Sequence, residues 1–170
     1  YTLTITDTDL PPVVNFLDVS DDASTSNSVT EAAGTVTFYI GLDAASSEKD
    51  ITVYYTITKD STDDGYGYTT GHASSTTWPA DYYYSDFDLT ERSLTISAGQ
   101  KKTAVTLNIN DDPSDEPDEQ VVFTISDGTG GTTPPTNASV GSDATTHTIT
   151  ITDDDAAPTI NFSTSTSGSA

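Results

Sequence analysis

With 170 residues, five basic side chains and 27 acidic ones, this chain carries a net charge of −22. The length suits one sandwich-sized core, and the charge excludes nucleic acid and anionic membranes as partners, since holding phosphates takes clustered Lys and Arg. The absence of Cys removes disulfides and thiolate metal sites. No apolar run approaches the ~18 residues of a membrane-spanning helix, so no membrane insertion is expected. Tyr1 is no initiator and no secretion leader precedes the first patterned segment, so the chain reads as a piece of a longer protein.

In chain order, apolar residues alternate at the period of a half-buried strand rather than that of a helix. Val13–Val19 opens the series. In Gly34–Leu42 the residues Val36, Phe38 and Ile40 share one face, and in Ile51–Lys59 the residues Ile51, Val53, Tyr55 and Ile57 do. The stretch Asp60–Ser85, rich in Gly, Ser, Thr and Tyr, breaks the rhythm. Ser93–Ser97, Thr103–Asn110 (Val105, Leu107 and Ile109 inward) and Gln120–Ser126 (Val121, Phe123 and Ile125) follow. A second break, Asp127–Ser142, is rich in Gly, Thr and Pro, and Thr145–Thr152 closes the series with Ile149 and Ile151. β-Branched and aromatic residues fit a pleated surface. Seven strands of this kind predict an all-β fold, an immunoglobulin-like seven-stranded β-sandwich. The two breaks read as long loops or hairpin insertions.

The ends of the chain repeat each other. Tyr1 to Phe16 reads YTLTITDTDLPPVVNF, and His147 to Phe162 reads HTITITDDDAAPTINF. At an offset of 146, nine of 16 positions are identical: Thr2, Thr4, Ile5, Thr6, Asp7, Asp9, Pro12, Asn15 and Phe16. Self-similarity at a fixed period is the mark of a repeat array. Residues 1–11 are thus expected to be the last strand and linker of a preceding unit. Residues 12–155 form the complete unit, and 156–170 the first strand of the next.

The carboxylates gather at five places: Glu31, Asp86, Asp111–Asp112, Asp115–Glu119 and Asp153–Asp155. Each lies beside a predicted strand end, hence at an end of the sandwich. Calcium takes six to eight oxygens at about 2.3–2.6 Å from carboxylates and carbonyls. Loops converging on one pole can supply them, and without a cation the same acids repel one another.

These residues and their order resemble the Calx-beta family, the repeat of sodium–calcium exchangers, an integrin subunit and large bacterial adhesins. The resemblance rests on Glu31-Ala-Ala-Gly34 before an alternating strand, Asp86-Phe87, and Leu94-Thr-Ile-Ser-Ala-Gly99. Ile109-Asn-Asp111-Asp112 comes next, with Glu116 and Glu119 four and seven residues after Asp112, then the closing Asp153-Asp154-Asp155. It covers 12–155 and implies a Calx-beta type sandwich with Ca2+ as its cofactor. The implied ligands are Glu31, Asp86, Asp111, Asp112, Glu116, Glu119, Asp153, Asp154 and Asp155. The insertion before Asp86 is longer than the family's usual one and offers Asp81-Tyr82 as an alternative to Asp86.

Other acids, Asp18, Asp21, Asp22, Asp43, Asp63 and Asp64, fall outside this pattern and read as surface charge, since Asp at a strand end ordinarily serves a turn. The insertion's Tyr66, Tyr68, Trp78, Tyr82, Tyr83 and Tyr84 read either as packing for the loop or as a stacking platform for a glycan. His72 and His147 have no acid or Cys at zinc-like spacing, and His147, aligned with Tyr1, reads as a surface strand position. No Ser sits in a nucleophile elbow. The chain is therefore expected to be no enzyme. The expected role is a calcium-binding structural repeat of an extracellular, cell-surface adhesin or fibre whose partners are neighbouring repeats. A calcium sensor and a carbohydrate- or ligand-binding module are the alternatives.

Overall fold

Alternation along each strand becomes the two inner faces of a sandwich. The structure is a computed structural model and describes residues 1, 10–59, 82–83, 91–109, 111, 113, 115 and 118–162. All seven predicted strands form: β1 (Val13–Leu17), β3 (Thr35–Leu42), β4 (Ile51–Lys59), β6 (Arg92–Ile96), β7 (Lys102–Ile109), β8 (Glu119–Ile125) and β10 (Thr146–Thr152). Three more join them, namely β2 (Ser26–Thr30), β5 (Tyr82–Tyr83) and β9 (Ser139–Val140). The strand β2, SNSVT, holds a single apolar residue, Val29, so no alternation marks it. It is held by parallel pairing to β10, from Ser26 opposite Thr148 to Thr30 opposite Thr152. The predicted insertion contributes the short edge strand β5, paired to β7, and the second break contributes β9, parallel to β1.

One sheet has the order β5-β7-β3-β1-β9 and the other β2-β10-β8-β4-β6. Their inner faces carry Val14 and Phe16 from β1, Phe38 and Ile40 from β3, Leu107 from β7, Phe123 from β8 and Ile149 and Ile151 from β10, all buried. Phe38 sits where the sheets meet. Its ring lies 4.6 Å from Phe123 and 4.8 Å from the His147 ring, both on the opposite sheet, and 5.9 Å from Phe16 beside it. Gly41 is required by close approach, because a Cβ there would run into the Leu17 side chain and the Lys102 Cβ. No helix among the described residues is long and apolar enough to cross a membrane.

The registers define two poles. Thr35 lies opposite Asn108, so β3 starts where β7 ends, and Ile151 lies opposite Glu119, so β8 starts where β10 ends. The chain enters β1 at the other pole, since Val14 lies opposite Leu42. It therefore comes in at one end of the sandwich and leaves β10 at the other.

Candidate metal centre

Parallel pairing brings the leading acids together. Thr30 and Thr152 are register partners at the matching ends of β2 and β10, so the next residues, Glu31 and Asp153, leave the sheet side by side. The Thr152 hydroxyl donates to the Val29 carbonyl at 3.2 Å across the same ladder. Glu31 opens a 3-10 turn over Glu31–Ala33 that closes at Gly34, whose φ of 71° is the left-handed value glycine adopts at no steric cost. The Gly34 carbonyl accepts the Ile109 N–H at 2.9 Å, which seats this turn against the end of β7 and hence beside Asp111.

Two groups of carboxylates result: Glu31 with Asp111 and Asp154, and Glu31 with Asp153 and Asp155. Within each group one oxygen per residue lies within 4.8 Å of the others. Two oxygens on one calcium ion are at most about 5 Å apart, so each triplet is spaced to hold one cation, with the Glu31 carboxylate common to both. The donors are all carboxylate oxygens, a set that suits a hard divalent ion better than zinc or copper, which favour nitrogen and sulfur. Glu31 is only 2% exposed, and a carboxylate this deep needs strong compensation, which a divalent cation in either triplet would supply.

Of the nine predicted ligands, then, Glu31, Asp111, Asp153, Asp154 and Asp155 meet. Glu119, also 2% exposed, starts β8 at the same pole and lies outside both groups. Asp86, Asp112 and Glu116, like the alternative Asp81, lie outside the described residues. So do Tyr66, Tyr68, Trp78 and Tyr84 of the aromatic insertion, and only the backbone of Tyr82 and Tyr83 is described.

Sequence reasoning passed over Asp118. Its Oδ1 accepts the Asp153 N–H at 3.3 Å, and the Asp153 Oδ1 accepts the Asp155 N–H at 3.4 Å. The linker is thereby pinned to the lead-in of β8. Asp118 lay within the acidic run already singled out, but Glu spacing drew attention to Glu116 and Glu119 instead.

One reading is extended by the structure and one is corrected. Asp21 is more than free surface charge: its Oδ1 is 2.6 Å from the Lys102 ammonium and its Oδ2 is 3.6 Å from that of Lys101. The hydrogen bond from Lys102 is the main reason its carboxyl lies below the usual range. Lys102 also donates to the Asp18 and Val19 carbonyls and lies 4.3 Å from the centre of the Tyr39 ring. A lysine thus does for this loop what a bound cation does elsewhere. His147, read as a surface position, is 0% exposed.

The fold and this acidic pole define a β-sandwich module able to hold divalent cations where its chain exits. No protein-family model and no curated protein matches the chain. Solved structures do. The apo-form Calx CBD1 domain superposes with a TM-score of 0.54 at 14% identity, over 84% of this chain and 99% of that one. The Calx CBD2 domain gives 0.53 at 13%, over 84% and 86%. The calcium binding domain CBD12 of CALX1.1 gives 0.51 at 17%, over 76% and 43%. At these identities the likeness is one of fold: the sandwich is of the Calx calcium-binding domain type, in agreement with the Calx-beta resemblance of the sequence.

Proposed function

We propose that this chain is a calcium-binding structural repeat of an extracellular adhesin or fibre, acting as a binding module and not as an enzyme. The observation that carries this reading is the convergence of Glu31, Asp111, Asp153, Asp154 and Asp155 at the pole where the chain leaves the domain. Three of these acids are themselves the linker. A cation held among them ties the linker to its own domain, and Pro158 restricts the backbone just beyond. The array is supported by the chain's passage from one pole to the other and by the exposed Ile160 and Phe162, at 93% and 98%. Their counterparts at the 146-residue offset, Val14 and Phe16, are fully buried in β1. On this reading residues 156–170 supply the first strand of a following unit.

Calorimetric titration with calcium tests the site. Glu31→Gln combined with Asp153→Asn is expected to weaken binding at least about 100-fold, since each removes a charged ligand from a shared ion. Glu48→Gln combined with Asp22→Asn removes the same charge elsewhere and is expected to change affinity less than about threefold. Equal losses from both pairs would reduce the effect to general charge. Affinity also separates a spacer from a sensor: spacers work at about 10⁻⁴–10⁻³ M and sensors at roughly 10⁻⁷–10⁻⁵ M.

The linker role has its own test. Two units joined through 153–158 are expected to give a longer, narrower distance distribution by small-angle scattering in millimolar calcium than in chelator. An unchanged distribution with both units folded would leave the ion a role within the domain and none between domains.

A further inference from the structure

His147 is buried at the start of β10, with its ring stacked on Phe38 at 4.8 Å and set against Phe16 at 5.4 Å. Phe123 is its cross-strand partner. Its Nδ1 lies 3.1 Å from the Ser24 carbonyl oxygen. A carbonyl only accepts, so Nδ1 carries the proton and Nε2 is the basic nitrogen. Nε2 is buried with no hydrogen-bond partner. A proton arriving there places a charge beside the Phe16 and Phe38 rings, on a buried nitrogen with no polar partner.

Among the described residues no carboxylate balances that charge. From β1 and β3 the ring meets Phe16 and Phe38, and on β8 its register partner is Phe123. The inward acid on β8 is Glu119, four residues along the strand, or ~13 Å away at the usual strand rise. The segment carrying Ser24 brings Asp18 and Asp22, both exposed, and Asp21, which is held by Lys102. The turn before β10 brings the exposed Asp143. Burial is the leading cause that moves the His147 pKa down, with the Ser24 bond opposing it.

We propose that His147 is an acid-sensitive latch on the β2–β10 pair: neutral, it fastens the lead-in of β2 to β10, and protonated, it loosens the ladder whose far end sets Glu31 beside Asp153. Thr148, the next residue, donates its N–H to the Thr25 carbonyl at 2.9 Å, so this latch and the first rung of the ladder are adjacent. The folded-state pKa lies below the ordinary value of about 6.5, so the unfolded chain takes up the proton first as pH falls. The contribution of His147 is therefore fully present above about pH 6.5 and is lost as pH drops through that value toward the folded one. The latch needs no cation and stands apart from the calcium reading.

The test uses the whole chain in chelator. His72 is the one other histidine, so His72→Gln assigns the imidazole signals in nitrogen-detected NMR. The His147 ring is expected to remain neutral and protonated at Nδ1 below the pH at which a free histidine titrates. Between about pH 7.5 and 5.5 the wild-type melting temperature is expected to fall at least about 3 °C further than that of His147→Gln. Over the same range the protection factor of the Thr148 amide is expected to drop about tenfold in the wild type only. His147→Phe provides the same comparison without a polar group in the core. Ordinary titration of the folded ring, or parallel pH profiles in wild type and variants, would overturn the proposal.

Discussion

In calcium this chain is expected to melt about 10–20 °C higher than in chelator. Filling one site at 100 times its dissociation constant stabilises the folded state by about 2.7 kcal/mol, provided the unfolded chain does not bind. The two carboxylate groups share Glu31 and otherwise use different residues, so two ions contribute about 5 kcal/mol at that saturation. For a chain of this length each kcal/mol moves the melting temperature by roughly 2–4 °C. Mutual repulsion among Glu31, Asp111, Asp153, Asp154 and Asp155 in chelator widens the gap further. Magnesium is expected to give a smaller shift, because it demands octahedral geometry at about 2.0–2.1 Å and sheds its water reluctantly. Scanning calorimetry in calcium, magnesium and chelator measures all three midpoints. Coincident calcium and chelator midpoints would remove calcium from the protein's function.

Replacing Phe38 by Ala should cost about 3–5 kcal/mol, the usual range for a buried phenylalanine. Phe38 is 2% exposed and touches Phe16 on its own sheet and Phe123 and His147 on the other. The cavity thus opens between layers, and neither sheet can close it without moving against its own hydrogen bonds. Val19→Ala, at a residue 76% exposed, is expected to stay within about 0.5 kcal/mol. Urea unfolding at fixed calcium gives both values. A loss below about 1 kcal/mol at Phe38 would mean that its ring contacts contribute little to joining the sheets.

Much of the sandwich was legible because a strand buried on one face writes its burial into every second residue. Val36, Phe38 and Ile40, or Val121, Phe123 and Ile125, announce an inward face before any partner strand is known. Acids at strand ends were equally readable, since whatever follows the last paired residue must lie at a pole. His147 shows the same rule overlooked: it shares the phase of Ile149 and Ile151, which already points inward, while alignment with Tyr1 suggested the surface.

What composition and alternation determine, then, is which residues face in and which acids reach the poles. The tertiary structure decided the rest. The strand β2 is almost wholly polar and is placed by backbone bonds to β10, which leave no trace in side-chain pattern. Its parallel register is what sets Glu31 next to Asp153, and the Gly34–Ile109 hydrogen bond is what brings Asp111 to Glu31. The role of Asp118 at the Asp153 N–H and the seizure of Asp21 by Lys102 are likewise decided across long stretches of chain. Side-chain periodicity reports the burial of one strand at a time, whereas a metal site depends on the register between strands, and that register exists only once the backbones have paired.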